Sequence, residues 1–280
     1  MKGISVISSL KSYALDPYPL RRLTLGLAKS LNWGGFDFKY FNNTFGRPNY
    51  AYIMYESALL ARRLGLKRIS VLEFGVAGGN GLIAMERLAE DIEHKLGDIE
   101  IEIYGFDTGK GLPKPEDYRD LPYQWKEGFF PMDEDALRAK LKRAKLVLGD
   151  IRDTADDFFT KYRPAPVAAV SHDFDYYSST AAALQMFDAP GNNFLPRVFC
   201  YFDDTVGGNL ELYNEYTGQR GAINDFNQNH TDKKLCPPVY LKSRAIQEPW
   251  YQQIYVHHHF SHPDYCQFIA ERNQQLNLGS

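Results

Sequence analysis

The sequence predicts an α/β fold with a Rossmann-like, seven-stranded, mostly parallel sheet, helices on both faces and an antiparallel last strand. Three observations carry that expectation. Between Arg47 and Phe260, short apolar runs rich in β-branched and aromatic residues alternate with amphipathic stretches, the pattern of βαβ units. The first such run ends in a cluster of glycines that opens a helical pattern, a strand–turn–helix arrangement. The last two runs have no helix between them and are separated by a loop containing Pro249, as an antiparallel closing pair at one sheet edge requires.

Taken in order, strands are expected at 69–74 (ISVLEF), 101–106 (IEIYGF), 145–149 (KLVLG), 166–171 (PVAAVS), 197–202 (RVFCYF), 238–243 (PVYLKS) and 252–258 (QQIYVHH). Helices are expected at 50–66, 80–96, 133–144, 152–162, 177–188 and 207–227. Two segments interrupt the alternation. Residues 107–132 combine proline, glycine and charge in one long loop, and such loops in compact domains are usually functional or mobile. The N-terminal segment crowds together Trp33, Phe36, Phe38, Tyr40, Phe41, Phe45, Tyr50 and Tyr52. It reads equally as a packing strap and as a cap or dimer contact. The chain is therefore divided into an aromatic-rich extension or cap, 1–46, and a main domain, 47–280.

Composition narrows the function. With 280 residues, 44% hydrophobic and 24% charged, and a net charge of −3, the chain is an ordinary globular protein. It has no electrostatic footprint for nucleic acid or an anionic membrane. Three cysteines without CxxC spacing give neither a disulfide framework nor a zinc motif and fit a reducing cytoplasm. The N-terminus lacks the apolar core of a signal peptide, and no run approaches a membrane span. The Asn-x-Thr triplets at Asn42 and Asn229 then read as chance.

Five strand ends carry candidate chemistry. The first runs from Glu73 through Gly75, Gly78 and Gly79 to Gly81, where glycines allow close approach of a ligand to a helix N-terminus. Ala77 stands where the dinucleotide fingerprint G-x-G-x-x-G needs its second glycine. Glu73 beside that turn suits a ligand with an ammonium group, which points from NAD toward S-adenosylmethionine. Asp107, after the second strand, is placed to accept from ribose hydroxyls. Around Lys110 the spacing of glycines and the lack of a following Ser or Thr exclude a P-loop. Asp150, after the third, reads equally as an adenine contact and as a helix N-cap.

The fourth and fifth strands end in His172, Asp173 and Asp175 and in Asp203 and Asp204. Four carboxylates on adjacent strand tips repel one another, so a hard divalent cation such as Mg²⁺ is the natural occupant. Capping would account for only two of them. His172 alone is too little nitrogen for zinc. On an extended segment Asp173 and Asp175 face the same way, about 6.6 Å apart, with His172 opposite. His257, His258, His259 and His262 read as strand histidines that are satisfied or exposed.

The succession ISVLEFGVAGGNGL, YGFDTGKGLP, LVLGDIRDT, VSHDFDYYSSTAAAL and YFDDTVGG over residues 69–208 resembles class I S-adenosylmethionine-dependent O-methyltransferases. It is most similar to the metal-dependent, TylF/macrocin-like sugar and antibiotic branch, and more distantly to catechol-type enzymes. The resemblance implies a methyltransferase domain in which the glycine loop and Asp107 hold the cofactor. It also implies that Asp173, Asp203 and Asp204 hold a divalent metal, with Asp175, or else His172, taking the proton of a small hydroxylated acceptor. Two departures stand out: Gly81 replaces a small hydroxyl residue, and Thr108-Gly109-Lys110 replaces the usual Ser-Phe-Glu. The segments 33–52 and 107–132 are expected to cover the acceptor, and the backbone at Gly79 is expected to approach the cofactor. A homo-oligomer is left open. The rival readings are an NAD(P)-dependent oxidoreductase, which would leave both Asp pairs idle, and a non-catalytic interaction module.

Overall fold

A computed structural model describes residues 19–244 and 247–270. Three helices come first: α1 (Pro19–Ser30), α2 (Phe36–Phe41) and α3 (Pro48–Arg63). Then β1 (Arg68–Phe74), α4 (Asn80–Leu96), β2 (Glu100–Asp107), α5 (Glu134–Arg138), β3 (Lys145–Leu148), α6 (Ile151–Tyr162) and β4 (Val167–His172) alternate. The chain ends with α7 (Tyr177–Leu184), β5 (Phe194–Phe202), α8 (Gly218–Asn229), β6 (Lys233–Cys236), α9 (Val239–Lys242) and β7 (Ile254–His259).

The strands form one seven-stranded sheet in the order β3-β2-β1-β4-β5-β7-β6. Neighbours from β3 to β5 are parallel, and β7 runs antiparallel to both β5 and β6. The expected sheet and its antiparallel last strand are therefore present. The order reverses between β1 and β4, and the carboxyl ends of strands at such a switch point open a crevice for ligands. Register sharpens this. Phe74 pairs with Phe106 and His172, and His172 with Phe202, so the next residues, Asp107, Gly75, Asp173 and Asp203, stand level along one edge.

Strand alternation divides the apolar residues between two cores. Ile69 and Val71 pack beneath α3 and α4, whereas Leu72 and Phe74 pack on the opposite face with residues of α6, α7 and α8. The N-terminal aromatics join the first core: Phe36 lies against Phe45 and Tyr55, and Asn43 donates to the Tyr251 hydroxyl at 2.9 Å. Among the described residues no helix is long and apolar enough to cross a membrane.

Three expected elements are corrected. The sixth strand is Lys233–Cys236, not 238–243, most of which is the single turn α9. Its polar edge register is fixed by Asn227, whose amide accepts from the Leu235 N–H and donates to the Leu235 carbonyl. Pro237 and Pro238 then supply no ladder donors. The helix expected over 133–144 stops at Arg138, because the N–H groups of Lys142, Arg143 and Ala144 all donate to the Glu86 carboxylate at 2.7–2.9 Å. The helix expected from 207 begins only at Gly218, after an irregular segment that starts with Gly207 and Gly208.

Glu86 is buried on α4, so its removal would leave three N–H donors without a partner. Glu86→Ala is expected to cost at least about 2 kcal/mol, read as a lowered urea midpoint with an unchanged slope. A loss within about 0.5 kcal/mol, the range of an ordinary surface substitution, would show that those donors are satisfied otherwise.

Candidate functional site

A cavity of about 410 Å³ opens at the carboxyl ends of β1, β2, β4 and β5. At one end it is lined by the loop that follows β1. Gly75 has φ +82°, and a Cβ there would stand 1.9 Å from the Asp173 carbonyl oxygen. Glycine is thus required by the approach of the β4 tip. Gly79 has φ +79°, but its Cβ would meet Leu137 Cδ1 at 2.1 Å. Leu137 of α5 thus already excludes a side chain at Gly79, which also lines the cavity. Gly78 lines the cavity and has open space beyond its Cα.

Asp107 organises this loop. One carboxylate oxygen accepts from the Val76 and Ala77 N–H groups, both at 2.9 Å, and the other from Gly109 at 2.6 Å. Ala77 is held at φ +44°, so the left-handed turn that a glycine would favour is kept by the carboxylate bond. The oxygen that accepts from Gly109 retains capacity for one further donor.

Glu73 is the buried group of this end. Its Oε1 accepts from the Tyr50 hydroxyl at 2.7 Å, and Oε2 has no partner. Burial pushes its carboxyl up to about 7, while the Tyr50 bond and the nearby Arg47 charge act in the other direction. A Cβ on Gly81 would stand 1.8 Å from Oε1. The Gly81 departure is therefore the space that the Glu73 carboxylate occupies.

A second part of the lining is a cluster of acids. Asp173, Asp203 and Asp204 each offer an oxygen, and these lie within 4.8 Å of one another. No other such cluster of three exists among the described residues, and the buried His257 is stacked on Phe187 at 3.9 Å. Asp204 accepts from the Asp175 N–H at 2.9 Å and the Tyr213 hydroxyl at 3.2 Å, and Tyr201 donates to Asp203. Gln219 accepts from the Asp204 N–H at 2.9 Å and donates to the His172 carbonyl at 3.2 Å, joining α8 to both strand tips. Burial first, and the neighbouring carboxylates second, push Asp173 and Asp204 well above the usual carboxylate range.

Two details differ from the extended segment expected after β4. The strand ends at His172, and Asp175 adopts φ +60°. That bend turns the Asp175 N–H onto Asp204 while its carboxylate lines the cavity outside the trio. His172 is fully buried, stacked on Phe202 at 4.2 Å with both ring nitrogens unpartnered, and burial alone lowers its pKa to about 3. It does not line the cavity, so the expectation that it takes a ligand's proton is corrected.

Asp150 resolves toward its capping alternative. It accepts from the Arg152 N–H at 2.9 Å and pairs with the Arg152 guanidinium at 2.7 Å, which leaves it a wall of the cavity with both oxygens engaged. Arg152 also reaches Glu116 of the long loop at 2.8 Å. That loop covers the cavity through Leu112, Trp125 and Phe130. Buried Asp120 anchors it by accepting from the Glu116 N–H and from both the N–H and hydroxyl of Ser178, at 2.8–2.9 Å. By contrast, no described residue before Arg47 lines the cavity. Phe36, Tyr40 and Phe45 pack on the first core, and of the segment 33–52 Arg47 lines the cavity.

Sequence reasoning missed Arg47, Tyr50, Asp120, Trp125 and Gln219. Tyr50 and Trp125 lay inside the two segments expected to cover the acceptor, but no motif singled out any of the five.

No protein-family model matches the chain, and no curated protein sequence does. Among solved structures it is similar to CalS11, a calicheamicin methyltransferase, at 19% identity over 88% of this chain and 94% of that one, TM-score 0.48. The O-methyltransferase NovP matches at 12% identity over 75% and 79%, TM-score 0.49. MycE, a methyltransferase of the mycinamycin biosynthetic pathway in complex with Mg and SAH, matches at 15% over 79% and 52%, TM-score 0.41. Likeness this distant carries no activity with it. The strand order itself, with β7 antiparallel between β5 and β6, is that of a mostly parallel, Rossmann-like α/β sheet.

A raised carboxyl pKa keeps a proton in the folded state that the unfolded chain releases, so Glu73 destabilises progressively as pH rises from the ordinary value toward about 7. Glu73→Gln is therefore expected to gain stability relative to the unligated parent between roughly pH 5 and 8. Melting curves across that range check it, and a gap that is constant or shrinks would contradict the burial of an ionisable Glu73.

Proposed function

We propose that this chain is a metal-dependent methyltransferase that moves a methyl group from S-adenosylmethionine to a hydroxyl of a small oxygen-rich acceptor, such as a sugar or a glycosylated natural product. The observation that carries this reading is the presence of two distinct carboxylate groups in one cavity. A buried, half-satisfied carboxylate beside a glycine turn and three convergent carboxylates with a fourth beside them line the same cavity.

The residues fit both absent groups. Glu73 Oε2 is an orphaned acceptor, and an ammonium is its best partner because a charge-assisted bond offsets the burial of the carboxylate. The turn from Gly75 to Gly79 and the remaining capacity of Asp107 suit an adenosyl group, with Asp150 as the wall at the start of α6. Asp173, Asp203 and Asp204 supply only oxygen ligands, the donor set of Mg²⁺ or a similar hard cation. When bound, that cation supplies Lewis acidity and a fixed direction for the acceptor oxygen.

This chain's own contribution is alignment, proton transfer and exclusion of water. With both ligands bound, the cavity walls would align donor and acceptor for in-line transfer. Asp175 would take the acceptor's proton as the methyl group leaves sulfur for the acceptor oxygen, so that the departing S-adenosylhomocysteine is neutral. Trp125 and Phe130 screen the reacting centre from solvent. An oxidoreductase would leave the trio without a task.

Equilibrium binding and turnover test this together. S-adenosylhomocysteine, not NADH, is expected to bind, chelation to abolish methyl transfer, and Mg²⁺ or Mn²⁺ to restore it with a rise in melting temperature. Full activity in excess chelator would count against the metal. Asp173→Asn is expected to lose metal affinity and activity together. Asp175→Asn is expected to keep metal and cofactor affinity but lose roughly 10²- to 10⁴-fold in turnover. Loss of the metal in Asp175→Asn would reject its role as base.

A further inference from the structure

Two arginines line the cavity, and their surroundings differ. Arg152 is engaged by Asp150 and Glu116. Arg47, at the N-cap of α3, lies over the Tyr50 ring at 4.9 Å and makes no hydrogen bond or ion pair to a carboxylate among the described residues. Its charge nevertheless acts on Glu73, on Asp173 and on Tyr50. It is a cation close to the buried carboxylate but not paired with it.

Tyr50 sets the spacing. Its hydroxyl is bonded to Glu73 Oε1, and its ring face carries the Arg47 guanidinium. A guanidinium stacked on an aromatic ring leaves its N–H edge available for a planar acceptor. Between them, the phenol keeps an unpaired anion and an unpaired cation apart on one wall of one cavity. If the cation served only to neutralise Glu73, a direct ion pair would be the lower-energy arrangement at this depth. The separation fits a ligand that brings both charges, an ammonium and a carboxylate on one carbon.

We propose that Arg47 binds the carboxylate of the cofactor's amino-acid end while Glu73 binds its ammonium, so that the pair reads an α-amino-acid zwitterion across Tyr50. The inference rests on the reading of S-adenosylmethionine as the ligand and adds the residue that selects its carboxylate. It assigns Arg47, outside every motif recognised in the sequence, to the binding site.

Calorimetric titration separates this inference from the reading beneath it. The ligands are S-adenosylhomocysteine and its decarboxylated analogue, which keeps the ammonium and lacks the carboxylate. The unaltered protein is expected to bind the analogue roughly 10- to 100-fold more weakly, the range of a lost charge-assisted bond. Arg47→Gln is expected to bind both ligands alike, and Arg47→Lys, which keeps the charge but not the fork, to retain part of the discrimination. Equal binding of the two ligands by the unaltered protein would overturn the assignment, even if Arg47→Gln failed to fold. So would equal weakening of both ligands in Arg47→Gln, the mark of a general neutralising charge. Absence of any S-adenosylhomocysteine binding by the unaltered protein would instead reject the cofactor reading itself.

Discussion

Carboxylates gathered at the carboxyl edge of a parallel sheet repel one another, and the departures from regular structure around this cavity serve to hold them there. Two like charges about 4 Å apart near a protein surface cost on the order of 4 kcal/mol. Each neutral hydrogen bond returns about 1 kcal/mol. The phenols of Tyr50, Tyr201 and Tyr213, which donate to Glu73, Asp203 and Asp204, therefore position these acids without neutralising them. Neutralisation has to come from protons or from cations. The raised pKa values of Glu73, Asp173 and Asp204 are the first response, and the proposed ligands are the second.

Holding such groups requires ties between elements that the sheet alone does not supply. Gln219 joins α8 to the tips of β4 and β5, Asp107 ties the glycine loop to β2, and Asp120 fastens the long loop to the start of α7. Each is a polar group spending its hydrogen bonds on backbone, which fixes geometry more firmly than side-chain pairing. Trp125 and Phe130 follow from the Asp120 anchor, because the loop that carries them meets α7 there.

What the sequence made legible follows the range of the interactions. The first five strands and the acids at their tips could be read because strand patterning is local and a strand end is marked by its last apolar residue. PVYLKS has strand composition but forms one helical turn, whereas the polar KKLC is a strand because Asn227 and β7 pair with it. Tertiary partners outweighed propensity in both places. The same limit applies in the site. His172 reads as chemistry beside an aspartate, yet strand alternation drives it between Phe74 and Phe202. Gly79 reads as a ligand contact and does line the cavity, but the exclusion of a side chain there by Leu137, from a helix more than fifty residues away, had no local signal. Tyr50 and Arg47 had no motif, since their roles arise only when α3 packs against β1.

A crystal of the protein grown with S-adenosylhomocysteine and Mn²⁺ tests the division of the cavity most directly, because the anomalous signal of manganese locates the ion independently of the chain. The expected result is one ion bound by Asp173, Asp203 and Asp204 at metal–oxygen distances near 2.1–2.3 Å, with the ligand's amino group on Glu73 and Asp175 outside the coordination shell. An ion elsewhere, or an amino-acid end that points away from Glu73, would contradict it.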